Sequence, residues 1–161
     1  MEISEAVAKI KEKYPKEILE EIKFRDEVTL LVKLDKIKEI ARFICEDKDL
    51  AFDYLTDQTA VDLFPKKPRF QVVYQTYSMK NNLRLRLKVE LREDEKISSV
   101  ESIWKSANWF EREIFDMFGI KFDEHPDMRR ILTWDGFEDF PLRKDYPTKG
   151  KDFDKPFKVV L

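Results

Sequence analysis

Glu111, Glu113, Asp116 and His125, the chain's only histidine, crowd into one short stretch, with Arg112, Arg129 and Arg130 set among them. These residue types suit a metal site, acid–base catalysis or a charged interface. For a metal, His125 stands near Asp123, Glu124 and Asp127, which offers one nitrogen and several carboxylates. A lone histidine without cysteine is a poor zinc set, and no helix carries the paired ligands of a di-iron site. A structural histidine ahead of a turn at Pro126 is the better reading. For acid–base chemistry, burial would raise the pKa of Glu111. Yet no activated nucleophile, phosphate-cradling glycine loop or dinucleotide fingerprint accompanies it. Carboxylates among arginines more often form ion-pair structure than catalytic groups. The interface reading rests on composition: mixed arginine and aromatic residues mark protein-binding hot spots, and here Trp109 and Trp134 flank the charges. Cys45, the only cysteine, excludes an internal disulfide and reads as a buried, inert thiol.

The elements that position these groups follow from periodicity. Ile3, Ala6, Val7, Ile10 and Tyr14 predict an amphipathic first helix, with Ser4 as its cap and Pro15 as its stop. Residues 20–33 carry β-type runs, best at 28–33. Asp35 is expected to cap a second helix with Ile37, Ile40, Ala41 and Ile44 on one face. Short strands are expected at 50–57 and 60–64, before Pro65 and Pro68 break the chain. Phe70–Ser78 and the strictly alternating Leu83, Leu85, Leu87, Val89 and Leu91 predict an antiparallel hairpin turned at Lys80-Asn81-Asn82. Its other face carries Arg84, Arg86 and Lys88. No aromatic interleaves them, so a solvated face is favoured over a nucleic-acid platform. Ser98-x-x-Glu101 has the capping-box pattern, and a long helix from about 98 to 118 is expected, with Gly119 at its C-cap.

On that helix Val100, Ile103, Trp104, Ala107, Phe110, Ile114 and Phe118 form one stripe. Glu111 falls inside the stripe, so a buried carboxylate paired with Arg129 or Arg130 is expected. Trp109 falls on the opposite side with Arg112, Glu113 and Asp116, which suggests a surface that a partner covers. From residue 123 onward periodicity is lost. Prolines punctuate a run that still carries Trp134, Phe137, Phe140, Tyr146, Phe153 and Phe157. Such a segment becomes ordered by lying against something larger and is expected to be mobile until it does.

The fold class is therefore α+β: a small mixed sheet with a hairpin and flanking helices over 1–122, then an extended irregular segment over 123–161 that docks on a partner. The 161 residues suit one domain. Net charge is −2 although 40% of residues are charged, so bulk electrostatics argue against nucleic acid or anionic membrane as partners. Abundant lysine and glutamate with scarce asparagine and glutamine suit a heat-adapted protein. No apolar run approaches a bilayer span and no leader-like segment stands before the first helix, so a soluble intracellular chain is expected.

The pattern Glu111-Arg112-Glu113-x-x-Asp116-Met117-Phe118-Gly119-Ile120-x-Phe122-x-x-His125-Pro126-Asp127-Met128-Arg129-Arg130-Ile131-Leu132 resembles the signature of the 30 kDa subunit of respiratory complex I. That family includes the equivalent subunit of membrane-bound energy-converting hydrogenases. Pro141-Leu142-Arg143-Lys144-Asp145-Tyr146-Pro147 resembles its second block. The resemblance implies a non-catalytic scaffold with no cofactor of its own. It implies packing against a large subunit related to that of nickel hydrogenases, beside iron–sulfur subunits, with iron–sulfur clusters and nickel–iron held by those partners. It also implies a peripheral place on the cytoplasmic face of the membrane, reached through the complex. Asp139-Phe140 stand where the family usually has glycine and an aromatic or histidine, and the chain stops soon after the second block. With the heat-adapted composition, these departures favour an archaeal-type hydrogenase or sulfur-reducing relative. The alternative is the corresponding subunit of an NADH- or ferredoxin-linked quinone oxidoreductase. A nucleic-acid-binding module and an independent enzyme using Glu111, Glu113 and His125 are the competing classes.

Overall fold

The computed structural model describes residues 1–151; Phe153, Pro156 and Phe157 lie outside them. In chain order the elements are α1 (Ile3–Lys13), β1 (Ile18–Phe24), β2 (Glu27–Val32), α2 (Ile37–Glu46), β3 (Tyr54–Asp62), β4 (Phe70–Ser78), β5 (Leu83–Leu91), β6 (Lys96–Ser98), α3 (Ala107–Phe118) and β7 (Lys121–Asp123). The expected α+β class holds. A five-stranded sheet runs β1-β2-β5-β4-β3, antiparallel except for the parallel β2–β5 pair. The predicted hairpin is β4–β5, paired from Phe70↔Leu91 to Ser78↔Leu83.

Register explains the core. Leu30, Leu87, Tyr74 and Gln58 form one row across β2, β5, β4 and β3, and Val32, Val89, Val72 and Ala60 form the next. Strict alternation puts these rows on one face, where their members are buried. Ala6 and Ile10 of α1, Ile37, Ile40 and Ile44 of α2, and Ala107 and Ile114 of α3 pack into the same cluster. Across the other face run Thr29, Arg86, Gln75 and Asp57. There Arg86 donates to Gln75 Oε1 at 3.2 Å and to Thr29 Oγ1 at 3.2 Å, so this basic position is engaged within its own sheet.

Several boundaries differ from those the sequence suggests. The two short strands expected at 50–57 and 60–64 are one strand, β3, with an irregularity between Leu55 and Asp57. Asp35 lies inside a 3-10 turn, Leu34–Lys36, and Lys36 is the N-cap of α2. Glu5, rather than Ser4, ties the start of α1, accepting the Glu2 N–H at 2.9 Å. The largest difference is α3. It starts at Ala107, because Ser98 ends β6, which pairs in parallel with β7 through Ile97↔Phe122. Residues between them make a turn in which Ile103 and Trp104 both donate to Val100 O at 2.9 Å. Val100 and Trp104 are nonetheless buried, so the apolar stripe faces the core although its first three residues precede the helix. Gly119 ends α3 in the left-handed region at φ 77, as expected. Among the described residues no helix or strand follows Asp123, and no helix is long and apolar enough to cross a membrane.

Candidate partner-binding site

α3 organises the candidate residues on both sides of itself. Glu111 is fully buried, as its place on the stripe predicts. Its partners are not arginines. Ser99 Oγ lies 2.6 Å from Oε2 and the Val100 N–H donates to Oε1 at 2.9 Å. Burial pushes its carboxyl up to about 7, even though the hydrogen bonds from Ser99 and Val100 and the nearby Gln58 amide pull the other way. Among the described residues no guanidinium is placed on this carboxyl, which is held by Ser99 and Val100. Gln58 and Tyr74, neighbours in the β3–β4 ladder, approach the same carboxyl, although the Gln58 amide and Tyr74 Oη meet no hydrogen-bond geometry among the described residues.

His125 closes this cluster. Its ring is buried, with Nε2 at 4.0 Å from Glu111 Oε2. The Asp127 N–H donates to Nδ1 at 3.0 Å, which puts the ring proton on Nε2, 3.1 Å from Asn108 O. Both nitrogens are thus used to fix the turn at Pro126. Among the described residues no group of His, Cys, Asp and Glu side chains is placed to hold a metal ion.

Asp116, expected on the wet face with Trp109, is fully buried instead, because the chain returns over it. Its Oδ2 accepts the N–H groups of Ile131, Leu132 and Thr133 at 3.0, 2.7 and 2.9 Å, and its Oδ1 meets Thr133 Oγ1 at 2.5 Å and Arg130 Nη1 at 2.7 Å. Burial would raise this carboxyl, but the Thr133 hydroxyl and the three N–H groups prevail and hold it well below the usual carboxylate range. The arginine foreseen for Glu111 therefore serves Asp116, one turn further along. Arg130 also lies over the rings of Phe137 and Phe140, at 5.6 and 5.2 Å.

The remaining candidates divide. Arg112 stacks on Trp109 at 5.2 Å and donates to Arg129 O and Arg130 O at 3.0 and 3.2 Å. Arg129 is exposed and forks onto Asp127. Glu113 and Pro126 are exposed. Arg143 turns inward, and Asp145, half exposed, reaches Arg69 from the surface. Arg143 donates to Phe118 O and to Glu93, both at 2.6 Å, and Asp145 Oδ1 accepts from Arg69 at 2.6 Å. The Lys144 side chain is exposed while its N–H reaches Asp62 at 2.9 Å. The segment after 123 is thus irregular, as expected, but it is held on its own domain at Asp116 and again at Asp62 and Arg69.

Beside these exposed charges stand exposed apolar side chains. Trp109, Leu132, Trp134 and Leu142 are each more than half exposed, although the Leu132 and Leu142 N–H groups are bonded to Asp116 Oδ2 and Met117 O of α3. A surface built this way holds large side chains still and leaves them wet, which suits docking. Glu111, by contrast, is fully buried. Periodicity and motif do not single out Ser99, Gln58, Arg69 or Glu93. A second serine beside Ser98 is the only signal for Ser99, and an arginine opening a β-rich run is the only one for Arg69.

Comparison with known proteins bears on the same residues. A family model described as "Respiratory-chain NADH dehydrogenase, 30 Kd subunit" matches residues 30–152. The C subunit of NADH-quinone oxidoreductase from Geobacter sulfurreducens is 47% identical over 162 residues, covering 99% of this chain and 98% of that one. Its counterpart from Geotalea uraniireducens is 46% identical over 161 residues, covering 99% of this chain and 96% of the relative. A solved trypsin-resistant fragment of Nqo5 superposes with a TM-score of 0.65 at 27% identity, covering 79% of this chain and 99% of the fragment.

Proposed function

Since the chain belongs to the respiratory-chain NADH dehydrogenase 30 Kd subunit family, we propose that it serves as that subunit in an NADH-quinone oxidoreductase of the complex I type. In this reading it is a scaffold without catalytic groups or cofactor of its own, peripheral to the membrane and held there by its complex. Its partners are the hydrogenase-like large subunit and the iron–sulfur subunits, which carry the clusters; nucleic acid is not among them. The names of the relatives support the quinone alternative over the hydrogenase or sulfur-reducing reading that Asp139-Phe140 and composition favour.

One observation carries the scaffold reading. The two buried carboxylates of the motif are consumed internally, Glu111 on Ser99 and Val100 and Asp116 on Arg130 and residues 131–133, while Trp109, Leu132, Trp134 and Leu142 face outward. Catalysis would need the reverse arrangement. Capture of the large subunit by the purified chain tests this. The unaltered chain is expected to retain it, and Trp109→Ala combined with Trp134→Ala is expected to lose it while the melting temperature holds. Equal capture by both chains would remove the assignment of this face.

A further inference from the structure

Arg69 belongs to none of the motifs, yet it touches the C-terminal segment from inside the domain. It stands just before β4 and is 8% exposed. Its Nε and Nη2 donate to Asp62 Oδ1 and Oδ2 at 3.1 and 2.9 Å, a forked pair across the open end of the β3–β4 ladder. Asp62 is further fixed by the Phe64 N–H at 2.9 Å. Burial would push its carboxyl up, but Arg69 and the N–H groups of Lys144 and Phe64 bring it down to about 2.

Each half of this pair has bonding capacity left over, and the segment uses both. Arg69 Nη2 also reaches Asp145 Oδ1 at 2.6 Å, and Asp62 Oδ2 also accepts the Lys144 N–H at 2.9 Å. Two successive residues are therefore seated by the two halves of one buried ion pair. Arg143, immediately before them, donates to Phe118 O and shares Glu93 with Arg69, whose Nη1 lies 3.1 Å from that carboxylate. Its guanidinium lies over Phe140 at 4.5 Å and Phe70 at 5.3 Å. The crossing is close: a Cβ on Gly119 would stand 2.6 Å from the Phe140 ring and 2.7 Å from Arg143. Leu142, bound through its N–H to Met117 O at 3.1 Å, projects outward from this anchor with 54% exposure.

We propose that Arg69 is a positioning residue for partner binding, seating residues 142–146 on the free subunit so that Leu142 meets the large subunit already in place. The proposal rests on the docking role above. Its physical content is preorganisation: a segment ordered in advance does not lose that conformational freedom on association. It replaces the expectation that the segment gains its order only from the partner.

Asp145→Asn tests this without disturbing the Arg69–Asp62 pair, and Leu142→Ala serves as a contact control. Two measurements are made: hydrogen exchange of residues 142–146 in the free chain, and affinity for the purified large subunit. Asp145 is about half exposed, so its charge on Arg69 is worth about a five-fold change. Asp145→Asn is expected to speed exchange and weaken affinity by about that factor, with the melting temperature unchanged. Leu142→Ala is expected to weaken affinity with exchange unaltered. If Asp145→Asn leaves exchange unaltered, whatever its affinity, Asp145 does not seat the segment and the proposal fails. It fails equally if exchange quickens and affinity holds. An unaltered chain that binds no large subunit would overturn the docking role and the positioning role with it, and the free-chain exchange would still report whether the anchor exists.

Discussion

Glu111→Gln should stabilise the chain at alkaline pH and leave it unchanged in mild acid. The folded-state carboxyl titrates at about 7 against an ordinary 4.5. A group whose pKa is raised on folding binds its proton more tightly in the native state. Its contribution is therefore fully present below about pH 4.5 and is lost as pH rises through about 7. At ~1.4 kcal/mol per unit, the loss between those limits is about 3 kcal/mol. The strongly depressed carboxyls, Asp62 and Asp116, act with the opposite sign and in more acid solution, because their stability is lost as pH falls through their folded values. Both losses fall in more acid solution than that of Glu111. Glutamine keeps the acceptor for the Val100 N–H and can donate to Ser99, and it carries no charge at any pH. The assay is urea denaturation of both chains at pH 5, 6, 7 and 8. The unaltered chain should lose about 2.5 kcal/mol across the series and the variant close to none. Glu111→Ala should be destabilised by about 2–4 kcal/mol at pH 5, from the cavity and the orphaned Val100 N–H and Ser99 hydroxyl, and by less at pH 8, where the unaltered chain has lost its own contribution. A flat profile for the unaltered chain, or an unchanged slope in the glutamine variant, would refute the buried neutral carboxyl.

Further outcomes follow from the same geometry. Asp116→Ala should cost about 3–5 kcal/mol by thermal or chemical unfolding, since it leaves Arg130 uncompensated and strips three N–H groups of their acceptor. Gly119→Ala should cost at least about 2 kcal/mol, because a Cβ at positive φ is strained and would strike Phe140 and Arg143; calorimetry checks it. Trp109→Ala should shift the melting temperature by less than about 2 °C, its side chain being largely exposed, and should weaken capture of the large subunit. Mass spectrometry of the captured material separates that loss from misfolding.

What is legible in the sequence is local. Leu83 to Leu91 alternate without a break, and they form a strand with that face buried. The stripe through Ala107, Ile114 and Phe118 puts Glu111 inside the core, where the structure has it. The differences share one cause, contact between residues far apart in the chain. Ser98 looks like a helix cap until β7 arrives beside it. Asp116 belongs on the wet side of a helical wheel, and only the returning residues 130–133 bury it. The wheel shows that Glu111 is enclosed but not that Ser99, Gln58 and Tyr74 stand opposite, so it points to an arginine where Ser99 and Val100 supply the hydrogen bonds. Arg69 gives no periodic signal, because its role depends on Asp62, Glu93 and Asp145, each on a different element or loop.

The central claim is that this chain is a docking scaffold in a quinone-reducing complex of the complex I type. The most direct measurement identifies the proteins that co-purify with the tagged chain from solubilised membranes of the cells that make it. The account predicts a stoichiometric hydrogenase-like large subunit lacking a complete set of nickel ligands, together with iron–sulfur subunits. Recovery with a large subunit that keeps those ligands would contradict the quinone assignment, and recovery of the chain alone from intact complexes would contradict the scaffold itself.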